Sequence, residues 1–229
     1  MKSIFVLGAT KYSFMIHSFI NQEGQYNVLG HAVNEAFIKD VQNECDRRNI
    51  SLYSLESLFE IVGSKNKVYI LNTIGYTNMN RTRQKLSDLC ISLGYELINF
   101  ISNRAIVLSD FNNYGNIVFP GAYVGTDVQI GNNNVFYSGS VMTHDISIGD
   151  NNFFAANTTI GGEVHIGNNC FLGMSSTIKN RVVLKDYTLI GAAAYLSHST
   201  KEREVVVPEK SISLNKNSFE ISLTPKTKR

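Results

Sequence analysis

An α/β domain followed by an all-β coil is the architecture this sequence predicts, and three observations predict it. The first hundred residues alternate strand-like with helix-like patterns. From Val118 onward, the apolar residues recur at every sixth position. Gly131, Gly149 and Gly167 lie eighteen residues apart, as do Asn133, Asn151 and Asn169.

In the first part, residues 4–7 (Ile-Phe-Val-Leu) form a short apolar run that ends at Gly8. Residues 67–71 (Lys-Val-Tyr-Ile-Leu) form another, rich in β-branched and aromatic side chains. Between Met79 and Gly94, Leu86, Leu89, Cys90 and Leu93 fall at i, i+3, i+4 and i+7, one face of a helix that Gly94 can stop. Residues 96–100 read as a further strand. Such alternation predicts a small parallel α/β domain over residues 1–104.

In the second part, the every-sixth series is Val118, Val124, Ile130, Phe136, Met142, Ile148, Phe154, Ile160, Ile166, Leu172, Ile178, Leu184, Ile190 and Leu196, without exception apolar. Two residues earlier the chain is mostly small or β-branched, as at Ala122, Ser140, Thr158 and Ser176, and Asn134 and Asn152 interrupt that second series. A period of six matches neither an amphipathic helix nor the strict alternation of an open sheet. It fits a coil with three flat sides, in which three hexads make one circuit and the large residue fills the interior. Glycine and asparagine tolerate positive φ better than other residues, so they are expected to form the stacked corners. Such a repeat buries its apolar face only against its neighbours. The coil is assigned to residues 105–204. Residues 205–229, with Glu209 and Lys210 and ending Lys226-Thr227-Lys228-Arg229, are expected to fold over its end and fray.

Composition narrows the function. A net charge of +2 gives no nucleic-acid footprint, and 43% hydrophobic residues is a globular composition. Cys45, Cys90 and Cys170 are widely spaced, which argues against a disulfide framework or zinc site and fits a reducing compartment. The N-terminus has one charge and a short apolar run, so it reads as a strand and not as a signal peptide. No segment reaches the ~20 apolar residues of a membrane span. A soluble, cytoplasmic protein without metal is expected.

Within the coil, Met142-Thr143-His144-Asp145 is followed by Ile148-Gly149-Asp150-Asn151, and Ile160-Gly161-Gly162 precedes Ile166-Gly167-Asn168-Asn169-Cys170-Phe171-Leu172-Gly173. These segments resemble those of the bacterial hexapeptide acyltransferases, the first the catalytic His-Asp/Glu segment and the others the acyl-CoA stretch. Together with Gly8 after the first strand, and with Ile74-Gly75-Tyr76 and Arg81, they resemble the nucleotide-aminosugar N-acyltransferases and sialic-acid O-acetyltransferases in particular. The resemblance implies a Rossmann-like first domain, a left-handed parallel β-helix, and a homotrimer with active sites between subunits. The chain departs from that pattern at three places. Phe153 stands where many relatives carry a second histidine. The glycine-rich turn reads Gly8-Ala9-Thr10-Lys11-Tyr12 in place of Gly-Ala-x-Gly-His. No acidic pair follows the second strand around residues 30–34.

Acyl transfer from a thioester needs a base, an oxyanion donor and a grip on the carrier. Histidine is the side chain best tuned as base near neutral pH. His17 falls in a predicted helix, His31 after a strand end, His165 before a core isoleucine and His198 near the last coil. His144 sits at a turn and matches the family base. Asp145 could hold its imidazole or point elsewhere. Gly162, eighteen residues on, shares its corner, and its N–H is the candidate oxyanion donor. The resemblance places acyl-CoA along Gly161, Gly162, Gly173 and Gly191, with Lys179, Arg181 and Lys185 either near its phosphates or simply solvated. Gly8, Ala9 and Thr10 would receive the diphosphate of a nucleotide-linked amino-sugar at a helix N-terminus, with Gly75, Tyr76 and Arg81 beside it. The expected function is transfer of an acetyl or other short acyl group to an amino-deoxysugar. O-acetylation of a sugar is the alternative within catalysis, and a non-catalytic sugar-nucleotide-binding scaffold is the alternative outside it. A zinc site is disfavoured because His144, His165 and His198 are 21 and 33 residues apart, not multiples of eighteen.

Overall fold

The computed structural model describes residues 1–63 and 66–221. Five parallel strands, β1 (Lys2–Leu7), β2 (Tyr26–Val33), β3 (Leu52–Ser54), β4 (Tyr69–Asn72) and β5 (Glu96–Leu97), form a sheet of order β3-β2-β1-β4-β5. Helices α1 (Lys11–Glu23), α2 (Ile38–Arg47), α3 (Leu58–Val62) and α4 (Arg81–Ser92) connect them. That order, with helical crossovers, is the Rossmann-like winding. Leu86, Leu89 and Leu93 of the predicted helical face pack against the core around Phe5, Ile70 and Cys90. Gly94 adopts φ 83° just past α4, where a left-handed residue closes the helix. His31, expected beyond a strand end, lies inside β2, because β2 pairs with β1 as far as Ala32.

The second domain is a left-handed parallel β-helix of two-residue strands on three faces. Face one carries Phe100–Ile101, Ile117–Val118, Val135–Phe136, Phe153–Phe154, Phe171–Leu172, Leu189–Ile190 and Val205–Val206. Face two carries Ile106–Val107, Tyr123–Val124, Val141–Met142, Thr159–Ile160, Thr177–Ile178 and Tyr195–Leu196. Face three carries Gln129–Ile130, Ser147–Ile148, His165–Ile166 and Val183–Leu184. Between Ile117 and Leu196 each strand pairs with the one eighteen residues on, as Val141 does with Thr159. The every-sixth residues are buried and form one core.

The coil is longer at both ends than residues 105–204. Residues 96–100, expected as one strand, divide between the domains: Glu96–Leu97 pairs with β4, and Phe100–Ile101 pairs with Ile117–Val118. At the other end, Val205 and Val206 pair with Leu189 and Ile190. Residues 207–221 that follow are exposed, and Lys226-Thr227-Lys228-Arg229 lie outside the described residues.

The corners correct the expected role of glycine. The left-handed residues at successive corners include Asp127, Asn133, Asp145, Asn151, Asn157, Glu163, Asn169 and Arg181, with φ between 55° and 65°. Gly131, Gly149 and Gly167 are not among them. They are glycine because coils stack closely: a Cβ at Gly149 would sit 2.8 Å from the Gly167 carbonyl oxygen. Nor are Asn134 and Asn152 mere interruptions. Both are fully buried in a ladder in which the Asn152 N–H donates to Asn134 Oδ1 and the Cys170 N–H to Asn152 Oδ1. Their Nδ2 groups donate to the Gly149 and Gly167 carbonyls, so the inner corner keeps its polar groups paired.

Face one is apolar on both sides. Its outward residues Ile117, Val135 and Phe153 are buried against Ile16, Ile20 and Tyr12 of α1, and burial of each such side chain contributes about 1.5–3 kcal/mol. Arg83 of α4 locks the two domains together. It is completely buried, and its guanidinium donates to the carbonyls of Gly75, Asn133, Asn151 and Asn152 and to Asn80 Oδ1. Desolvation lowers its pKa to about 10, leaving it charged at neutral pH.

Candidate active site

The turn between faces two and three brings three predicted residues together. Asp145 is left-handed at φ 55°, which turns its carboxylate back toward the preceding ring. Its Oδ2 lies 2.8 Å from His144 Nδ1. With Nδ1–H as the donor to the carboxylate, Nε2 keeps its lone pair. Both side chains are more than half exposed. Gly162 lies directly beside the ring: a Cβ there would be 2.5 Å from His144 Cε1 and 2.6 Å from Nε2. Only a residue without a side chain leaves the imidazole its place. The Gly162 carbonyl accepts from the Arg181 N–H, while its own N–H has no acceptor among the described residues.

Further along this edge, Glu163 and Arg181 form a two-pronged pair at 3.0–3.1 Å. The guanidinium lowers the Glu163 pKa, and the carboxylate raises that of Arg181. Arg181 thus faces a carboxylate on the exposed surface of the single chain. Gly161 and Lys179 follow the strands of face two and share the His144 edge, whereas Lys185 follows face three. Gly173 and Gly191 follow the strands of face one. The glycines expected to line one groove therefore stand on two different edges of the chain.

The edge carrying Gly173 meets the first domain in a recess of about 490 Å³. Gly75 and Tyr76 line it, as predicted for substrate-facing residues, together with Tyr12, Tyr137, Phe153, Phe171, Met174 and small residues of the coil. Among the described residues no charged side chain lines it. Phe153 is central to this aromatic wall, 5.0 Å from Tyr76 and 5.7 Å from Phe171 between ring centres. Sequence reasoning met Tyr12 and Phe171 only as members of motifs, without a role in a wall, and passed over Tyr137. The available signal was the doubly apolar strand pairs of face one, which mark a wall covered from outside.

The remaining predicted residues sit as follows. Gly8 has φ 114°, and a Cβ there would be 2.7 Å from Ser13 Oγ, so glycine is required. Its N–H, expected to face an anion, donates to the Ala32 carbonyl at 2.8 Å because the strand pairing continues one residue further. Ala9 is buried beside it. Thr10 caps α1 reciprocally with Ser13, which occupies two more of the amides there. Arg81 is exposed and lines a separate recess with Tyr187, Leu189 and Arg203, apart from Gly75 and Tyr76. His165 bonds Ser147 Oγ on face three, and His198 lies 3.6 Å from Glu204.

His17 and His31 form a pair of their own, with 2.9 Å between His17 Nδ1 and His31 Nε2. His31 Nδ1 is 2.6 Å from the Gly8 carbonyl, which can only accept, so that nitrogen carries the proton. Burial lowers the His31 pKa to about 4, and burial also lowers that of His17. Among the described residues no group of histidine, cysteine and acidic side chains converges to hold a metal ion, and no helix is long and apolar enough to cross a membrane.

The family described as bacterial transferase hexapeptide (six repeats) matches residues 127–162 and 145–180. Among solved structures, the chain is similar to PerB from Caulobacter crescentus in complex with CoA and GDP-perosamine. The TM-score is 0.77 at 19% identity, over 91% of this chain and 95% of that one. It is also similar to the acetyltransferase domain of PglB from Neisseria gonorrhoeae (TM-score 0.75, 17% identity, 91% and 97% covered). A third likeness is to WeeI from Acinetobacter baumannii (TM-score 0.62, 14% identity, 90% and 89% covered). No curated protein sequence matches the chain. This protein therefore carries bacterial transferase hexapeptide repeats over residues 127–180 and has the two-domain fold of these structures, an α/β domain joined to a left-handed β-helix.

Proposed function

We propose that this chain is an acyl-CoA-dependent acyltransferase that moves an acetyl or other short acyl group to the amino group of a nucleotide-linked amino-deoxysugar. The observation that carries the reading is the His144–Asp145 pair seated on Gly162. The fold is that of proteins whose structures hold CoA and GDP-perosamine, or acetyl coenzyme A.

In the mechanism, Asp145 fixes the imidazole with Nε2 free and stabilises the cation formed when that nitrogen takes a proton. The sugar amine attacks the thioester carbonyl, forming the C–N bond as its proton passes to His144. The Gly162 N–H is aimed at the resulting oxyanion. Collapse breaks the C–S bond, the thiolate of CoA takes a proton, and an amide is released. The small residues Ala155, Ala156, Gly173 and Ala192 keep the recess edge low, leaving room for a pantetheine arm to reach the sugar.

His144 and the recess lie on the two edges that flank face two. Three chains with face two turned to a common axis would set the His144 edge of each beside the recess of the next. Face two supports this, since it exposes Ile106 and Tyr195 to solvent in the single chain. The functional unit is then a homotrimer with interfacial sites, a closed symmetry in which one patch meets a different one.

Thiol release from acetyl-CoA, followed against a panel of nucleotide-linked amino-sugars, tests this function. Release with an N-acetylated product is the expected outcome. An O-acetylated product would move the reading to a sugar O-acetyltransferase, and binding without release would leave a scaffold. Sedimentation should give three times the monomer mass, and a monomer would remove the interfacial site.

A further inference from the structure

The corner that carries Asp145 recurs on successive coils, and the residues stacked there are Asp127, Asp145, Glu163 and Arg181, each left-handed with φ between 55° and 65°. Backbone bonds hold this column in register. The Asp145 N–H donates to the Thr126 carbonyl, the Glu163 N–H to that of His144, and the Arg181 N–H to that of Gly162. Neighbouring parallel strands lie about 4.8 Å apart. Three carboxylates and one guanidinium therefore share a short line beside the candidate base.

Two of those carboxylates bear on the His144 ring. Asp145 Oδ2 lies 2.8 Å from Nδ1. Glu163 follows Gly162, the residue against which the ring lies, and its carboxylate feels the charges of both Asp145 and His144. A second carboxylate turned onto the ring would undo what a base requires. It would draw a proton onto Nε2, the nitrogen that must keep its lone pair, and would favour the imidazolium before any amine arrives.

Arg181 stands on the far side of Glu163 and takes that carboxylate instead. Its Nε donates to both Glu163 oxygens at 3.1 Å, and its Nη2 donates to Oε1 at 3.0 Å. The two side chains are 75% and 47% exposed, and an exposed pair adds little to stability. What the pair changes is where the Glu163 charge points.

We propose that Arg181 is a positioning residue for acyl transfer: it clamps Glu163 away from His144, so that the imidazole faces Asp145 alone and Nε2 stays free. The proposal rests on His144 as the base of the transferase reading and adds the residue that sets its charged surroundings. The further charged groups on the stacked coils are Asp127, one coil before Asp145, and Lys179, which follows face two on the same edge.

The test follows the acid limb of kcat/KM for thiol release, at low ionic strength, with the full-length protein, acetyl-CoA and the best acceptor of the sugar panel. Arg181→Gln leaves the Glu163 carboxylate unpaired, which favours the imidazolium, so the limb should move up by about half a pH unit. Glu163→Gln leaves the guanidinium unpaired, which disfavours the imidazolium, so the limb should move down. The double variant removes both charges and should return the limb to its wild-type position. Arg181→Lys keeps the charge and should hold the limb near that position as well. Nitrogen-15 spectra of the His144 ring, assigned by their loss in His144→Ala, read the tautomer without reference to catalysis. The neutral wild-type ring should carry its proton on Nδ1, and Arg181→Gln should raise the share on Nε2.

A limb and a tautomer that stay put in both single variants would overturn the proposal, and so would a double variant displaced as far as Arg181→Gln. A raised KM for acetyl-CoA in Arg181→Gln with an unmoved limb would overturn it too, making Arg181 a contact of the carrier. Absence of thiol release from the wild type would remove the transferase reading, and a tautomer shift in Arg181→Gln would still uphold the clamp.

Discussion

The two edges that flank face two use the same backbone path for opposite purposes. The His144 edge is exposed and polar: a histidine, an aspartate, and a glycine stripped of side chain so that the ring can lie flat. The Gly173 edge is covered by the first domain and walled by aromatic rings and small apolar groups, with no charged side chain among the described residues. Neither edge is a complete site. One has a base with nothing to hold a substrate against it, and the other has a recess with no base. Identical corner geometry thus acquires different chemistry from what covers it.

That division can be broken most sharply by mixing two inactive variants. His144→Ala alone should lower acetyl transfer about 10²–10⁴-fold, and Ala156→Arg should block the recess with the coil intact. If each site takes one edge from each of two subunits, half-and-half refolded mixtures should recover about a quarter of wild-type activity, read by thiol release. Mixtures as inactive as their parents would place both edges of a site on one chain.

Gly162→Ala is the next largest effect. The added methyl must displace the imidazole, so kcat should fall about 10²-fold, the lower end of what a positioned general base contributes. Because His144 is exposed and can swing away, the melting temperature should hardly change. A fall in melting temperature with unaltered kcat would sever the glycine from the chemistry.

A smaller effect separates the exposed pair on the coil from the buried one under Gly8. The folded His31 pKa of about 4 lies below its ordinary 6.5, so the unfolded chain binds the proton first as pH falls. This contribution to stability is present above pH 6.5 and is lost as the pH drops from there toward 4, by up to about 3 kcal/mol. Urea unfolding between pH 7 and 4.5 should show the decline in the wild type and a flatter profile in His31→Gln. Equal slopes would show that His31 takes up its proton without loss of the fold.

The smallest effect is expected at Glu163 and Arg181, which are exposed on the active edge. Glu163→Gln should leave the melting temperature unchanged, as exposed ion pairs usually do. A marked loss of affinity for acyl-CoA in this variant would show that the pair holds Arg181 ready for the carrier.

The coil was readable because each hexad repeats one local decision, so Val118 to Leu196 announce the core through periodicity alone. The first domain was readable in outline, from its apolar runs and the Leu86–Leu93 helical face. Its details were not. The strand β2 ran past His31 because pairing with β1 extends it, a cross-strand effect with no local signature. The corner glycines were misattributed to positive φ because the sequence gives spacing, not the distance to the coil above. The apolar outer residues of face one, Ile117, Val135 and Phe153, were visible as letters, but only the docked α1 gives them a purpose.

What the sequence determined by itself is therefore whatever a short repeat dictates: the three-sided coil and the stacking of Gly162 on His144. Only the tertiary structure decided which edges face solvent and which face the first domain. It alone buried Arg83 among backbone carbonyls and closed the Tyr12 hydroxyl in behind aromatic rings. Those outcomes depend on contacts between residues 50 to 141 positions apart, and no local pattern encodes where two surfaces meet.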